Sequence, residues 1–110
     1  MLIQGTVLWG YLDPTVGKEQ SGRRPLVVVS SEEYNELATD LLIVVPVSSV
    51  DRGWPNHVEL AGNLGSLKGF AMTEQPRTVS RDRCGDVIGV VDVACLDEIK
   101  RYLADFLALA

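Results

Sequence analysis

The chain has 110 residues, 46% of them hydrophobic, and a formal net charge of −5. That length predicts one domain over residues 1–110, with a small but real core and enough uncovered apolar surface to favour a dimer. A membrane span is excluded, because no run approaches the ~18 apolar residues one requires, and Met1 to Gly5 lacks the basic and apolar regions of a signal peptide.

Leu2 to Leu12 reads as a first strand, with Gly5 and Gly10 as bends or bulges. Asp13 to Arg24 is a polar loop, rich in turn residues, that runs into an arginine pair. Leu26 to Val29 is a β-branched run typical of a buried strand. Ser30 and Glu33 have the spacing of a capping box, which predicts a short helix over 31–38. Leu41 to Val47 is a second continuous apolar run. Pro46, with no N–H to donate, marks its end or an edge. Arg52 to Asn56 is a loop, His57 to Leu60 alternates as a strand should, and Gly62 to Gly65 is a turn. Further strands are expected at Leu67–Thr73, Arg77–Ser80 and Val87–Val91. The tail changes period: Leu96, Ile99, Leu103, Phe106 and Leu107 recur at helical spacing behind Asp92, a good N-cap. The elements predict a mainly β chain with short helices, a strongly bent sheet or open barrel closed by an amphipathic C-terminal helix.

Charge is unevenly distributed. Acids gather in 31–40 and 84–110, whereas bases gather in 1–30 and 66–83. If the fold joins the basic segments, an acidic body acquires a local site for an anion. Cys84 and Cys95 have neither metal-ligand spacing nor the number needed for a disulfide framework, so they read as reduced, buried thiols of a cytoplasmic protein, with a single disulfide between them as the alternative. No phosphate-binding glycine loop, zinc cluster or serine-nucleophile motif is present.

The loop and the strand after it carry more than local chemistry. Leu12-Asp13-Pro14, Gly17, Glu19-Gln20, Gly22 and Arg24-Pro25 closely resemble the signature of the MazF/PemK toxin family, small endoribonucleases of toxin–antitoxin systems. Pro46-Val47-Ser48-Ser49, Pro55 to Glu59 and Glu74-Gln75-Pro76-Arg77-Thr78 resemble three further segments of the family. The resemblance implies an SH3-like open β-barrel of the MazF/CcdB type. It implies metal-independent, sequence-specific cleavage of single-stranded RNA (mRNA) by attack of the 2′-hydroxyl, leaving 2′,3′-cyclic phosphate and 5′-OH ends. It also implies a homodimer, a cognate MazE-like antitoxin, and no cofactor.

Such chemistry needs positive charge and hydrogen-bond donors around the phosphate. By the resemblance, Arg24 is the catalytic arginine, acting as acid/base or phosphate stabiliser. Ser48 stands where the family has a catalytic threonine. It keeps the hydroxyl and loses the methyl that restricts χ1. The structural alternatives are an Arg24–Glu19 surface pair and a Ser48 hydroxyl bonding its own backbone. Glu19, Gln20, Ser49, Gln75 and Arg77 are the candidate substrate contacts. Trp54 has two readings, base stacking or dimer packing. His57 reads as structural, and Trp9 as core. A CcdB-like toxin that binds gyrase, or a degenerate member that binds RNA or antitoxin without cleaving, are the alternatives in function.

Overall fold

A computed structural model of the chain describes residues 2–12 and 22–109. Among these, the strands are β1 (Thr6–Tyr11), β2 (Arg23–Val28), β3 (Leu41–Ser48), β4 (His57–Glu59), β5 (Gly62–Asn63), β6 (Phe70–Met72), β7 (Arg77–Ser80) and β8 (Cys84–Val91). The helices are α1 (Glu32–Leu37) and α2 (Val93–Phe106). The sheet order is β4-β6-β3-β2-β1-β8-β5, with β7 also paired to β3, and every pairing is antiparallel. The expected mainly β architecture with a terminal helix is present.

The continuous apolar runs follow from burial on both faces of the sheet. Along β1, β2 and β3, side chains alternate between two cores. Val7, Val27, Val45 and Val47 pack with Val58, Ala71 and Val91 beneath Cys95 and Ile99 of α2. Leu8, Leu26, Val28, Leu42, Val44 and Val79 form a separate cluster.

Pro46 lies inside β3, not at its end. Before it, Leu41 to Val44 pair with β7; after it, Val47 and Ser48 pair with β6. The proline falls where the partner changes, at a position that pairs with neither strand. β3 therefore bends from one partner to the other without leaving β2, to which Pro46 is registered through Leu26.

Gly5 has a positive φ of 97°. The β1–β8 register shifts twice, on either side of Leu8 and just before Gly10, as expected for glycine-marked irregularities. Gly89 is needed for a different reason. A Cβ there would lie 1.9 Å from the carbonyl oxygen of Asn63, so only glycine lets β5 approach β8. That approach makes Gly62–Asn63 a short strand rather than a simple turn.

The helix caps separate two neighbouring serines. Ser31, not Ser30, is the N-cap of α1, accepting from the Tyr34 N–H at 3.1 Å. Ser30 is turned inward, where its hydroxyl donates to Asn35 Oδ1 at 2.5 Å and accepts from the Ile43 N–H at 3.1 Å. The capping-box spacing therefore marked the right helix by the wrong serine. Asp92 caps α2 as expected, accepting from the Cys95 N–H at 2.8 Å. The apolar stripe of α2 is covered at Cys95 and Ile99, but Phe106 and Leu107 are exposed. Trp9 is half-buried rather than a core residue. Cys95 is buried, Cys84 is half-buried, and both are free thiols. Burial pushes both above the ordinary thiol range.

Candidate active site

Arg24 and Ser48 lie at polar ends of two adjacent apolar strands. β2 and β3 pair through Leu26↔Pro46, Val27↔Val45 and Val28↔Val44. Arg24 and Ser48 each lie two residues beyond the last of these pairs, Leu26↔Pro46, on their own strands. Both line a cleft of about 350 Å³ with Arg23, Pro25, Val47, Ser49, Val50 and Arg52. The apolar strands hold the backbone rigidly, while their ends carry the polar groups.

Ser48 is a buried residue, 9% exposed, and its hydroxyl accepts from two donors. The Val50 N–H donates to Ser48 Oγ at 3.1 Å, and Arg52 Nη1 donates to the same atom at 2.9 Å. Ser48 thus makes a local backbone contact, as a strand-end serine does, and also a charge-assisted bond to a side chain four residues on. Arg52 reaches the Met72 sulfur as well, at 3.9 Å.

Arg23 is fixed separately. Its guanidinium carbon lies 4.2 Å from the Trp9 ring centroid, a cation–π contact between diagonal neighbours on β2 and β1. Three arginines therefore converge on a cleft whose described lining contains no carboxylate. This is a site for an anion on a chain whose net charge is negative.

The structure brings Arg24, Ser48 and Ser49 together and separates them from two other predicted contacts. Gln75 is exposed, with its side-chain amide on Glu74 Oε2 at 3.3 Å and the Met72 sulfur at 3.8 Å. Arg77 sits on β7 opposite Val44 and donates to the Leu12 carbonyl at 3.4 Å. Neither lines the cleft. Glu19 and Gln20 lie outside the described residues.

His57 is buried and bound to Glu74, its Nε2 lying 3.0 Å and 3.1 Å from the two carboxylate oxygens. Asn56 Nδ2 donates to the same carboxylate at 2.9 Å, and Thr73 Oγ1 donates to the Asn56 carbonyl at 2.7 Å. Together these bonds tie the start of β4 to the end of β6, the structural role expected of the histidine. Trp54 is half exposed and tilted over the His57 ring at 4.8 Å.

Burial pushes the Glu74 carboxyl up, but its hydrogen bonds to His57, to backbone and to Gln75 outweigh this and hold it below the ordinary value of 4.5. A carboxylate depressed in the fold stabilises above its unfolded pKa and loses that contribution as pH falls through the folded one. Glu74→Gln is therefore expected to lower the melting temperature by a few degrees at pH 7. The gap from the parent should narrow as pH falls below the ordinary carboxylate value of 4.5 and close once pH is below the depressed folded value. Melting curves across that range check it, and an equal deficit at both ends of it would show that the charge is not what matters.

Arg52 is the site residue that sequence reasoning missed. It sits in a segment read only as a loop, and no local pattern marks a base four residues after a serine. Among the described residues, no group of three histidine, cysteine, aspartate or glutamate side chains comes together as a metal site.

Residues 3–107 match the family described as PemK-like, MazF-like toxin of type II toxin–antitoxin systems. The chain is 36% identical over 76 residues to the endoribonuclease toxin MazF of Escherichia coli K12, covering 69% of this chain and 66% of that protein, just under two thirds of its length. It is 34% identical to endoribonuclease MazF9 of Mycobacterium tuberculosis over 94% of this chain and 93% of that one. Among solved structures, a MazE–MazF complex from Deinococcus radiodurans superimposes with a TM-score of 0.85 at 30% identity, covering 99% and 97% of the two chains.

Proposed function

The chain belongs to the PemK-like, MazF-like toxin family of type II toxin–antitoxin systems, and from that premise we propose that it is a metal-independent endoribonuclease cutting single-stranded RNA at a short sequence. The observation that carries this reading is the cleft itself: three arginines line it together with Ser48, whose hydroxyl is held by one of them, with no carboxylate in the described lining.

RNA brings its own nucleophile. The 2′-oxygen bonds to the neighbouring phosphorus and loses its proton, the bond from phosphorus to the 5′-oxygen breaks, and that oxygen gains a proton. A 2′,3′-cyclic phosphate and a 5′-OH result, with no further reactant. Negative charge grows on the non-bridging oxygens along the way, and fixed donors there lower the barrier. Arg24 fits this task. A guanidinium holds its protons too tightly to release them readily, so its contribution is charge and a two-pronged donor matched to phosphate. Ser48 supplies a neutral donor beside it.

The same reading covers the partners. The solved relatives include MazE–MazF complexes, and a cognate antitoxin with an acidic, extended segment would neutralise the arginine cleft and compete with RNA. A homodimer is supported by apolar side chains left exposed near the cleft, Val50 at its lining and Trp54 in the loop beyond. The two free thiols fit a reducing cytoplasm. Glu19, Gln20, Ser49, Gln75 and Arg77 remain the proposed substrate contacts.

Incubating the protein with a long single-stranded RNA in excess EDTA tests the reading. Discrete cuts at a repeated short sequence, with cyclic-phosphate and 5′-OH ends, are expected. Intact RNA, from folded protein free of antitoxin, overturns it.

A further inference from the structure

We propose that Arg52 is a positioning residue for Ser48, locking the serine hydroxyl so that its proton is directed away from the protein donors and into the cleft. The inference rests on the endoribonuclease reading, because a directed proton matters only if a phosphate oxygen arrives to accept it.

A serine hydroxyl has one proton and two acceptor lone pairs. In Ser48 both acceptor positions are filled, one by the Val50 N–H at 3.1 Å and one by Arg52 Nη1 at 2.9 Å. Neither partner can accept a proton in return. The hydroxyl proton is left the remaining tetrahedral direction, and Ser48 lines the open cleft. Ser48 is thereby turned from an ambivalent rotor into a donor. The Arg52 bond is charge-assisted, so it also polarises the O–H toward donation.

Arg52 also answers a weakness in the site. A β-branched hydroxyl residue is stiff about χ1 by its own sterics, whereas serine is not. The guanidinium fixes from outside what a methyl group would fix from within. Arg52 is itself an exposed residue on a loop, braced against the Met72 sulfur at 3.9 Å, so no core packing depends on it.

The test is a double-mutant cycle on cleavage of RNA containing one mapped site, using the full chain in EDTA and reading kcat and KM separately. Arg52→Ala is expected to lower kcat by about tenfold to a hundredfold, the size of one lost bond to a charged group. If Arg52 acts through the hydroxyl, it has nothing to position once Ser48 is alanine. The Arg52→Ala change made in a Ser48→Ala background should then cost less than about threefold more. Ser48→Thr in the Arg52→Ala background should recover most of the lost kcat, because the methyl restores the restraint. Melting temperatures within a few degrees of the parent would show that each variant is folded.

Losses that multiply in the double variant would overturn the proposal, placing Arg52 on the substrate instead of on Ser48. A parent protein that leaves RNA intact overturns the endoribonuclease reading and this inference with it. A parent that cleaves, with multiplying losses, overturns the inference alone.

Discussion

Arg24→Ala is expected to slow RNA cleavage by two to three orders of magnitude, the usual cost of removing one donor aimed at developing charge. The melting temperature should scarcely move. Arg24 is the second residue of β2, outward of Leu26, Val27 and Val28, which are fully buried. It is half-buried at the cleft and registered opposite Gly10, so its removal opens no cavity in either core. The charge of Arg23 and Arg52 would remain nearby, which keeps RNA binding from collapsing with catalysis. The loss should therefore fall on kcat more than on KM. Arg24→Lys keeps the charge but not the planar two-pronged donor, and only part of the rate should return. Single-turnover cleavage in EDTA, paired with thermal melts, separates these outcomes. A folded Arg24→Ala protein that cuts at the parental rate would remove Arg24 from the mechanism.

Ile99→Ala should do the reverse. Ile99 is fully buried and, with Cys95, is one of the two buried residues of α2. Its side chain joins the valines of β1, β2 and β3 in the larger core. Truncating a buried isoleucine costs about 2–5 kcal/mol through lost transfer energy and the cavity left behind. In a chain of this size that lowers the melting temperature by more than about 10 °C. The cleft lies at strand ends that α2 does not line, so the fraction still folded should cleave at the parental rate. Calorimetry and activity below the transition check both halves. An unchanged melting temperature would mean that α2 is not held to the sheet by this contact. Arg24 and Ile99 together ask whether chemistry and stability are carried by different residues in this small fold.

Much of the fold was legible because it rests on local chemistry. The β-branched runs at 26–29 and 41–47, the 3.6-residue period after Asp92 and the turn residues between them mark elements whatever the rest of the chain does. Arg24 was legible too, because it belongs to a fixed-spacing signature in one continuous stretch. Ser48 and Ser49 followed from a shorter one.

Other features had no local signal. The capping-box spacing pointed to Ser30, yet the cap is Ser31, because Ser30 is drawn inward by Asn35 and Ile43, five and thirteen residues away. Pro46 reads as a strand end in sequence, but β3 continues through it because different partners take up its two halves. The apolar period after Asp92 does not distinguish Cys95 and Ile99, which are buried, from Phe106 and Leu107, which are exposed.

The sequence by itself therefore determined most of the elements and their amphipathic faces, since propensity and periodicity act between residues close in the chain, and it marked Arg24 only through the family resemblance, in what read as a loop before the strand. Only the tertiary structure decided that Arg24 and Ser48 line one cleft and that Arg52 holds the serine hydroxyl. Those contacts depend on strand register and loop path, which are set by how both faces of the sheet pack rather than by any residue's neighbours in sequence.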